Sequence, residues 1–194
     1  VTAMKISGMS NFSVILVPSA ISVLIGILFI TSINPITSVL VKKYELTMDQ
    51  ITNIVEGMDP FEGSKSFLDW ARDNFQLVIV SDTFYELAWP LIRKLGTPSI
   101  ICHNLLIEKN EIKGYSLRQD ENKKKVVQSL KDLHYKVFAS GDSYNDIQML
   151  KQADLGVFFQ APKHIRDEFS DIPAVEDHNA LKEKFISASE FINR

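Results

Sequence analysis

The sequence predicts an α/β protein built on a parallel sheet with helices on both faces. Three observations lead there. Short apolar runs at Gln76–Val80, Ser99–Cys102 and Leu155–Phe159 have the length and composition of buried strands. Stretches with helical apolar spacing alternate with them, the order expected of parallel strands joined by crossover helices. Finally, Tyr135–Ser140 runs as a strand into Gly141-Asp142-Ser143-Tyr144-Asn145-Asp146, and a helix starts at Ile147. That places two carboxylates on a strand-to-helix turn, where open α/β sheets bind their ligands.

Taken in order, the chain begins with a block from Ile6 to Val41 that carries no charged residue. Within it, Val14–Ile30 is broken only by Pro18, Ser19, Ser22 and Gly26. A membrane-spanning helix needs about 20 apolar residues, so the run is borderline. Lys42 and Lys43 follow it and would keep the remainder on the cytoplasmic side. The competing expectation is a buried strand followed by an irregular segment.

From Thr47 the pattern is regular. Thr47 with Gln50 forms a capping box, and Ile51, Ile54, Val55 and Met58 give a helical stripe that ends at Gly57, Asp59 and Pro60. Phe61–Phe75 reads as a second helix, with Phe67, Leu68, Ala71 and Phe75 inward. The strand Gln76–Val80 is closed by Ser81-Asp82-Thr83. A helix marked by Phe84, Leu87, Ala88, Leu91, Ile92 and Leu95 then stops at Gly96. Leu105–Glu108 and Ile112–Leu117 flank Lys109-Asn110 as a hairpin. Glu121–Leu133 is a helix with Val126, Val127, Leu130 and Leu133 as its stripe, and Asn179–Ile192 closes the chain as another.

Composition sets the function classes. Among 194 residues, 45% are apolar and 23% charged, ordinary values for a globular domain with material for a core. A net charge of −3 gives no electrostatic footprint for nucleic acid. The single cysteine, Cys102, cannot form an internal disulfide and fits a reducing, cytoplasmic compartment. The histidines at 103, 134, 164 and 178 do not pair at metal-ligand spacing, so each is expected in the core or on the surface.

Three stretches carry chemistry. Ser81 follows one strand, Lys123 opens a helix, and Asp142 and Asp146 follow another strand. A hydroxyl beside free amides binds phosphate oxygens. A lysine supplies a compact positive charge. An Asp pair can hold a hard cation such as Mg²⁺ through oxygen. Singly, each has a plain alternative: a capping serine, a solvated Lys123-Lys124-Lys125 face, and an Asp-rich turn that only caps its helix. Their order along the chain is more specific than any one of them.

That order resembles the haloacid-dehalogenase superfamily of phosphotransferases, in its phosphoserine phosphatase branch. Ser81–Glu86, Cys102-His103, Gly114–Gln119 and Gly141–Asp146 resemble the subfamily described as bifunctional phosphoserine phosphatase/homoserine phosphotransferase, from about Lys42 to the C-terminus. The resemblance implies a Rossmann-like, three-layer parallel-sheet core spanning 61–194 and a small helical cap. It implies Mg²⁺ as cofactor and phosphoserine as substrate, in L-serine biosynthesis, with homoserine as an alternative acceptor. By the same resemblance Ser81 is the phosphate-binding hydroxyl, with Asp82 beside it in the substrate loop. Lys123 stabilises phosphate, Asn145 contacts substrate, Asp142 ligates the metal and Asp146 orients that site.

The N-terminus departs from the family pattern. There a D-x-D or D-x-E motif supplies a nucleophilic carboxylate and an acid/base. Here Ile15-Leu16-Val17-Pro18 resembles the run that follows it, which puts Asn11 at the nucleophile position and Ser13 at the acid/base position. Ser19 replaces the substrate-binding Glu, and no acidic residue precedes Glu45. Residues 1–18 therefore read as a degenerate first-strand region and 19–60 as the remnant of a degraded cap. No catalytic nucleophile is identified, and impaired turnover is expected. The alternatives are a phosphoserine-binding pseudoenzyme, a membrane-anchored derivative held by residues 14–30, and a reading-frame artefact over 1–41.

Overall fold

The computed structural model describes residues 47–192. The first-strand region 1–18 with Asn11 and Ser13, most of the cap remnant 19–60, and the apolar run Val14–Ile30 lie outside the described residues.

The first helix, α1 (Met48–Glu56), starts as its sequence predicts: the Thr47 hydroxyl accepts from the Gln50 amide, and the Gln50 side chain accepts from the Thr47 amide. Met48, Ile51 and Val55 turn inward against Leu87. Helix α2 spans Ser64–Asn74 and begins later than Phe61, because Gly63 takes a left-handed conformation with φ of 80° that interrupts the helix. Phe61 is left exposed.

Strand β1 (Val78–Phe84) carries Ser81-Asp82-Thr83 inside the strand, with an irregularity in register between Val80 and Phe84. The apolar run alone marked only its first part, since the polar triplet hides the continuation. Helix α3 (Tyr85–Lys94) follows. Ser99–Cys102 and Leu105–Glu108, separate in the sequence pattern, form one strand, β2 (Ser99–Glu108). Its first half pairs in parallel with β1, and its second half pairs antiparallel with β3 (Glu111–Ser116).

Helix α4 (Asn122–Asp132) leads to β4 (Phe138–Gly141), a 3₁₀ turn at Tyr144–Asp146, and α5 (Ile147–Gln152). Strand β5 (Leu155–Phe159) pairs in parallel with β4 and with the two-residue β6 (Ala174–Val175). Helices α6 (Lys163–Glu168) and α7 (His178–Ile192) complete the chain. Neither α6 nor β6 is foreshadowed in sequence; one is six residues long and the other two, too short for periodicity to register.

The described strands form two three-stranded sheets, β1-β2-β3 and β4-β5-β6. The second is covered on both faces, and adjacent residues of β5 point to opposite layers. Phe158 packs with Val127, Ile147, Leu150 and Ile165 of α4, α5 and α6. Val157 packs with Leu181 and Phe185 of α7, backed by Phe67, Trp70 and Phe75. Neither Val157 nor Phe158 is exposed to solvent. This is the three-layer α/β/α arrangement expected from near-continuous apolar strands. The α7 face is aromatic: Phe138 and Phe185 stack at 5.8 Å, and Phe75 meets both edge-on.

Asp154 ties the entry of β5 to that of β4. Its carboxylate accepts the Val137 N–H at 2.9 Å, and the Asp154 N–H donates to Val137 O at 2.8 Å. Lys131 and Lys136 stand 3.4 and 3.6 Å from the same carboxylate. Partial burial works against the charged form, but the Val137 amide and the two lysines outweigh it and hold the pKa below the ordinary carboxylate value. A depressed folded-state pKa adds stability that is complete above the unfolded value of about 3.9 and is lost as pH falls through the lower folded value. Asp154→Ala should therefore cost about 1 kcal/mol in urea unfolding at neutral pH. The gap from the parent protein should close as the pH is taken below about 4.

Candidate active site

Lys123 joins the two halves of the site. It sits in the first turn of α4, and its Nζ lies 2.8 Å from Asp146 Oδ1 and 3.2 Å from Asp82 Oδ2. Asp82 belongs to the C-terminal part of β1 and Asp146 to the turn after β4. One ammonium thus bridges the carboxyl ends of strands in different sheets. Burial works to strip Lys123 of its proton, but the Asp146 and Asp82 carboxylates outweigh it and hold its pKa above the ordinary value.

Asp146 is buried and fully engaged. Oδ1 takes the Lys123 ammonium, while Oδ2 accepts the Asp142 and Ser143 amides at 3.0 Å each and the Ser143 hydroxyl at 2.8 Å. Burial pushes its pKa up, yet Lys123 and Ser143 more than offset this and keep it ionised. The turn closes this tightly because residue 141 is glycine: a Cβ there would stand 2.5 Å from Asp146 Cβ and Cγ.

Asp142, by contrast, is exposed and points no carboxylate oxygen at Lys123 within ion-pair distance. Partial desolvation of its carboxyl and the charge of Asp146 raise its pKa. Among the described residues no group of three or more His, Cys, Asp or Glu side chains is placed to hold a metal ion. On the Asp142–Asp146 turn the free carboxylate is Asp142, since Asp146 has spent its oxygens. That donor fits Mg²⁺ in its usual protein mode, bound by one or two carboxylates with waters and substrate phosphate oxygens completing the octahedron.

Ser81 lies within β1. Its hydroxyl accepts the Thr83 N–H at 3.3 Å, and its carbonyl accepts the Asn122 side-chain amide at 3.3 Å. Asn122 is buried, so this bond fastens the start of α4 to β1 beside Lys123. Asn145 lines an open cleft of about 330 Å³ together with Asp82, Lys123, Lys124, Tyr144 and Gln148. Ser81 and Asp142 are not among the residues lining that cleft. Asp82, Lys123, Asp146 and, through its amide, Asp142 form one contiguous cluster.

Sequence reasoning missed His103. It lines the cleft, is almost wholly buried, and stands with Nε2 at 4.0 Å from Asp82 Oδ1. The one available signal was Cys102-His103 at the end of a predicted strand, a position where side chains face ligands. Tyr144 was also passed over. Its hydroxyl donates to Glu168 at 2.7 Å, and its ring contacts His164 and Phe169, fixing one wall of the cleft.

Removing the bridging charge leaves two carboxylates facing each other with no cation between them. Lys123→Met should cost about 3 kcal/mol in denaturant unfolding. Asp82→Asn, whose carboxylate is the more exposed partner, should cost less than Asp146→Asn.

Comparison with known proteins agrees with this geometry. The family described as haloacid dehalogenase-like hydrolase matches residues 38–151. Phosphoserine phosphatase ThrH of Pseudomonas aeruginosa is 43% identical over 148 residues, which is 76% of this chain and 72% of the relative. A phosphoserine phosphatase of Pseudomonas syringae pv. tomato is also 43% identical over 148 residues, but only 62% of its length is spanned. Among solved structures, an apo phosphoserine phosphatase superposes with a TM-score of 0.59 at 21% identity, over 73% of this chain and 82% of that one. The phosphoserine phosphatase of T. onnurineus gives 0.58 at 20% identity, over 88% and 82%. At such identities the structures speak to the fold alone. With the matched stretch running through β1, Lys123 and the Asp142–Asp146 turn, the chain belongs to the haloacid dehalogenase-like hydrolases, beside the relatives named phosphoserine phosphatase.

Proposed function

We propose that this chain binds a small phosphorylated amino acid, phosphoserine, in a Mg²⁺-dependent phosphomonoesterase site, and that its turnover is impaired. The observation that carries the reading is the placement of Lys123 in the cleft, between a strand-end carboxylate and the Asp142–Asp146 turn. A phosphoryl dianion entering there meets a half-buried ammonium, the amides of the first turn of α4, and Asn145. Ser81, one residue before Asp82 in β1 and outside the cleft lining, is the hydroxyl that the family resemblance offers to phosphate. Asp146 keeps Lys123 charged and aimed, and by accepting the Asp142 amide it fixes the backbone that presents Asp142. Asp142 would hold Mg²⁺, which would supply charge neutralisation to the phosphate oxygens when bound.

The family reaction opens with attack on phosphorus by a first-strand carboxylate. Counting from Ile15–Pro18 puts Asn11 at that position and Ser13 at the acid/base position, and an amide does not replace a nucleophilic carboxylate. Asp146 is committed to Lys123 and backbone amides, and Asp82 is paired with Lys123, so neither stands free as a nucleophile. Binding is therefore retained and hydrolysis lost or strongly reduced. In this reading residues 61–194 form the hydrolase core, while 1–18 and 19–60 correspond in sequence alone to the family's first-strand region, here degenerate, and to its cap. The relatives' names support phosphoserine as the ligand; the family resemblance of the sequence adds a place in L-serine biosynthesis, in the cytoplasm, with water or homoserine as acceptor. Among the described residues no helix is long and apolar enough to cross a membrane.

Two measurements test this. Mg²⁺ should raise the melting temperature through ligand linkage, and Asp142→Asn should abolish the response. Equal shifts in both proteins would remove Asp142 from the metal site. In phosphate-release assays with phosphoserine and Mg²⁺, the chain should turn over at least about 10²-fold more slowly than an intact relative, the lower bound set by loss of acid–base help alone. Asn11→Asp combined with Ser13→Glu should restore part of the rate. Robust release by the unaltered chain, insensitive to Asn11→Ala, would place the nucleophile elsewhere.

A further inference from the structure

His103 is a buried polar group for which the reading above has no use. It ends the parallel half of β2, opposite Phe84, and only 2% of its surface is exposed. Its Nδ1 accepts the Arg118 backbone N–H at 3.0 Å. The Arg118 side chain in turn donates from Nε to Cys102 O at 3.2 Å and reaches the Tyr85 hydroxyl at 3.2 Å, and that hydroxyl donates to Ile100 O at 2.8 Å. The ring is thereby clamped, and its tautomer is set. A nitrogen that accepts an N–H carries a lone pair, so the neutral ring bears its proton on Nε2. Burial also disfavours the charged ring, pulling its pKa below the ordinary value against the opposing pull of Asp82.

That Nε2–H faces the cleft, 4.0 Å from Asp82 Oδ1, which is beyond hydrogen-bond length. The other oxygen of Asp82 lies 3.2 Å from Lys123. Asp82 therefore stands between two donors and is bonded to the stronger. A bound phosphoryl group competes with Asp82 for Lys123 and repels its carboxylate.

We propose that His103 is a positioning residue that receives Asp82 when an anion enters the cleft: a shift of Oδ1 onto Nε2–H frees the Lys123 ammonium for the ligand. This rests on the phosphate-site reading and adds the means by which the site sheds its internal counter-ion. No proton is transferred; Lys123 stays charged, His103 stays neutral, and one acceptor exchanges donors.

The test is calorimetric titration of the full chain with inorganic phosphate in the presence of Mg²⁺. His103→Leu should weaken phosphate binding about five- to tenfold, and His103→Gln, which keeps an N–H near the Nε2 position, should recover most of it. In an Asp82→Asn background, with no carboxylate left to receive, His103→Leu should have no further effect. The same loss in both backgrounds would mean that His103 touches the ligand or acts through the fold, and would overturn the proposal, as would no loss at all. In the unaltered protein, nitrogen NMR should show the Nε2–H tautomer, with the Nε2 proton moving downfield as phosphate is added. A resonance that stays fixed while the Lys123 amide responds would overturn the proposal even if the variants fail to fold. A chain that binds no phosphate would instead remove the underlying site reading and this inference together.

Discussion

The arrangement depends on one ammonium held between two carboxylates. Lys123 with Asp82 and Asp146 is a nearly buried triad with a net negative charge. Such groups do not recommend themselves as stability devices, because desolvating three charges costs several kcal/mol per ion and a well-packed apolar set does as well or better. The surroundings are built to satisfy it: Asp146 accepts three further hydrogen bonds, and Asn122 fastens the first turn of α4 to β1. What the triad supplies is geometry. It sets the carboxyl end of β1 beside that of β4, although no described strand pairs the two sheets.

The packing serves the same end. Phe158 and Val127 seat α4 and α5 on one face of the β4-β5-β6 sheet, so the Asp142–Asp146 turn emerges from a fixed base. Gly141 lets the Asp146 side chain fold back over its own strand, which delivers both oxygens where they are needed. On the other side, the Arg118 clamp fixes His103 against β2. In the cleft Asp82 stands between Lys123, at 3.2 Å, and His103, at 4.0 Å.

Much of this was legible in the sequence, for identifiable reasons. The α/β class followed from apolar runs alternating with helical stripes. The capping box at Thr47 and Gln50 formed as written, because local chemistry alone decides it. Lys123, Asp142 and Asp146 stood out because strand-end and helix-start positions can be read from periodicity. Other features rest on long-range contacts that no local pattern encodes. The continuation of β1 through Ser81-Asp82-Thr83 depends on pairing with β2, and the fusion of two short runs into β2 depends on having different partners on each half. The division of labour between Asp146, spent on Lys123 and amides, and Asp142, left free, appears only in three dimensions. So does His103, whose meaning comes from Asp82 and Arg118, 21 and 15 positions away.

The central proposal is that Lys123 and the Asp142–Asp146 turn form a phosphate site. Amide NMR of the full chain titrated with phosphoserine in Mg²⁺ tests it most directly, since it reads binding without turnover. The account predicts saturable shifts concentrated at Ser81, Asp82, Lys123, Asp142 and Asn145, and their loss in Lys123→Met. Shifts confined to residues away from this cleft, or none at saturating ligand, would contradict it.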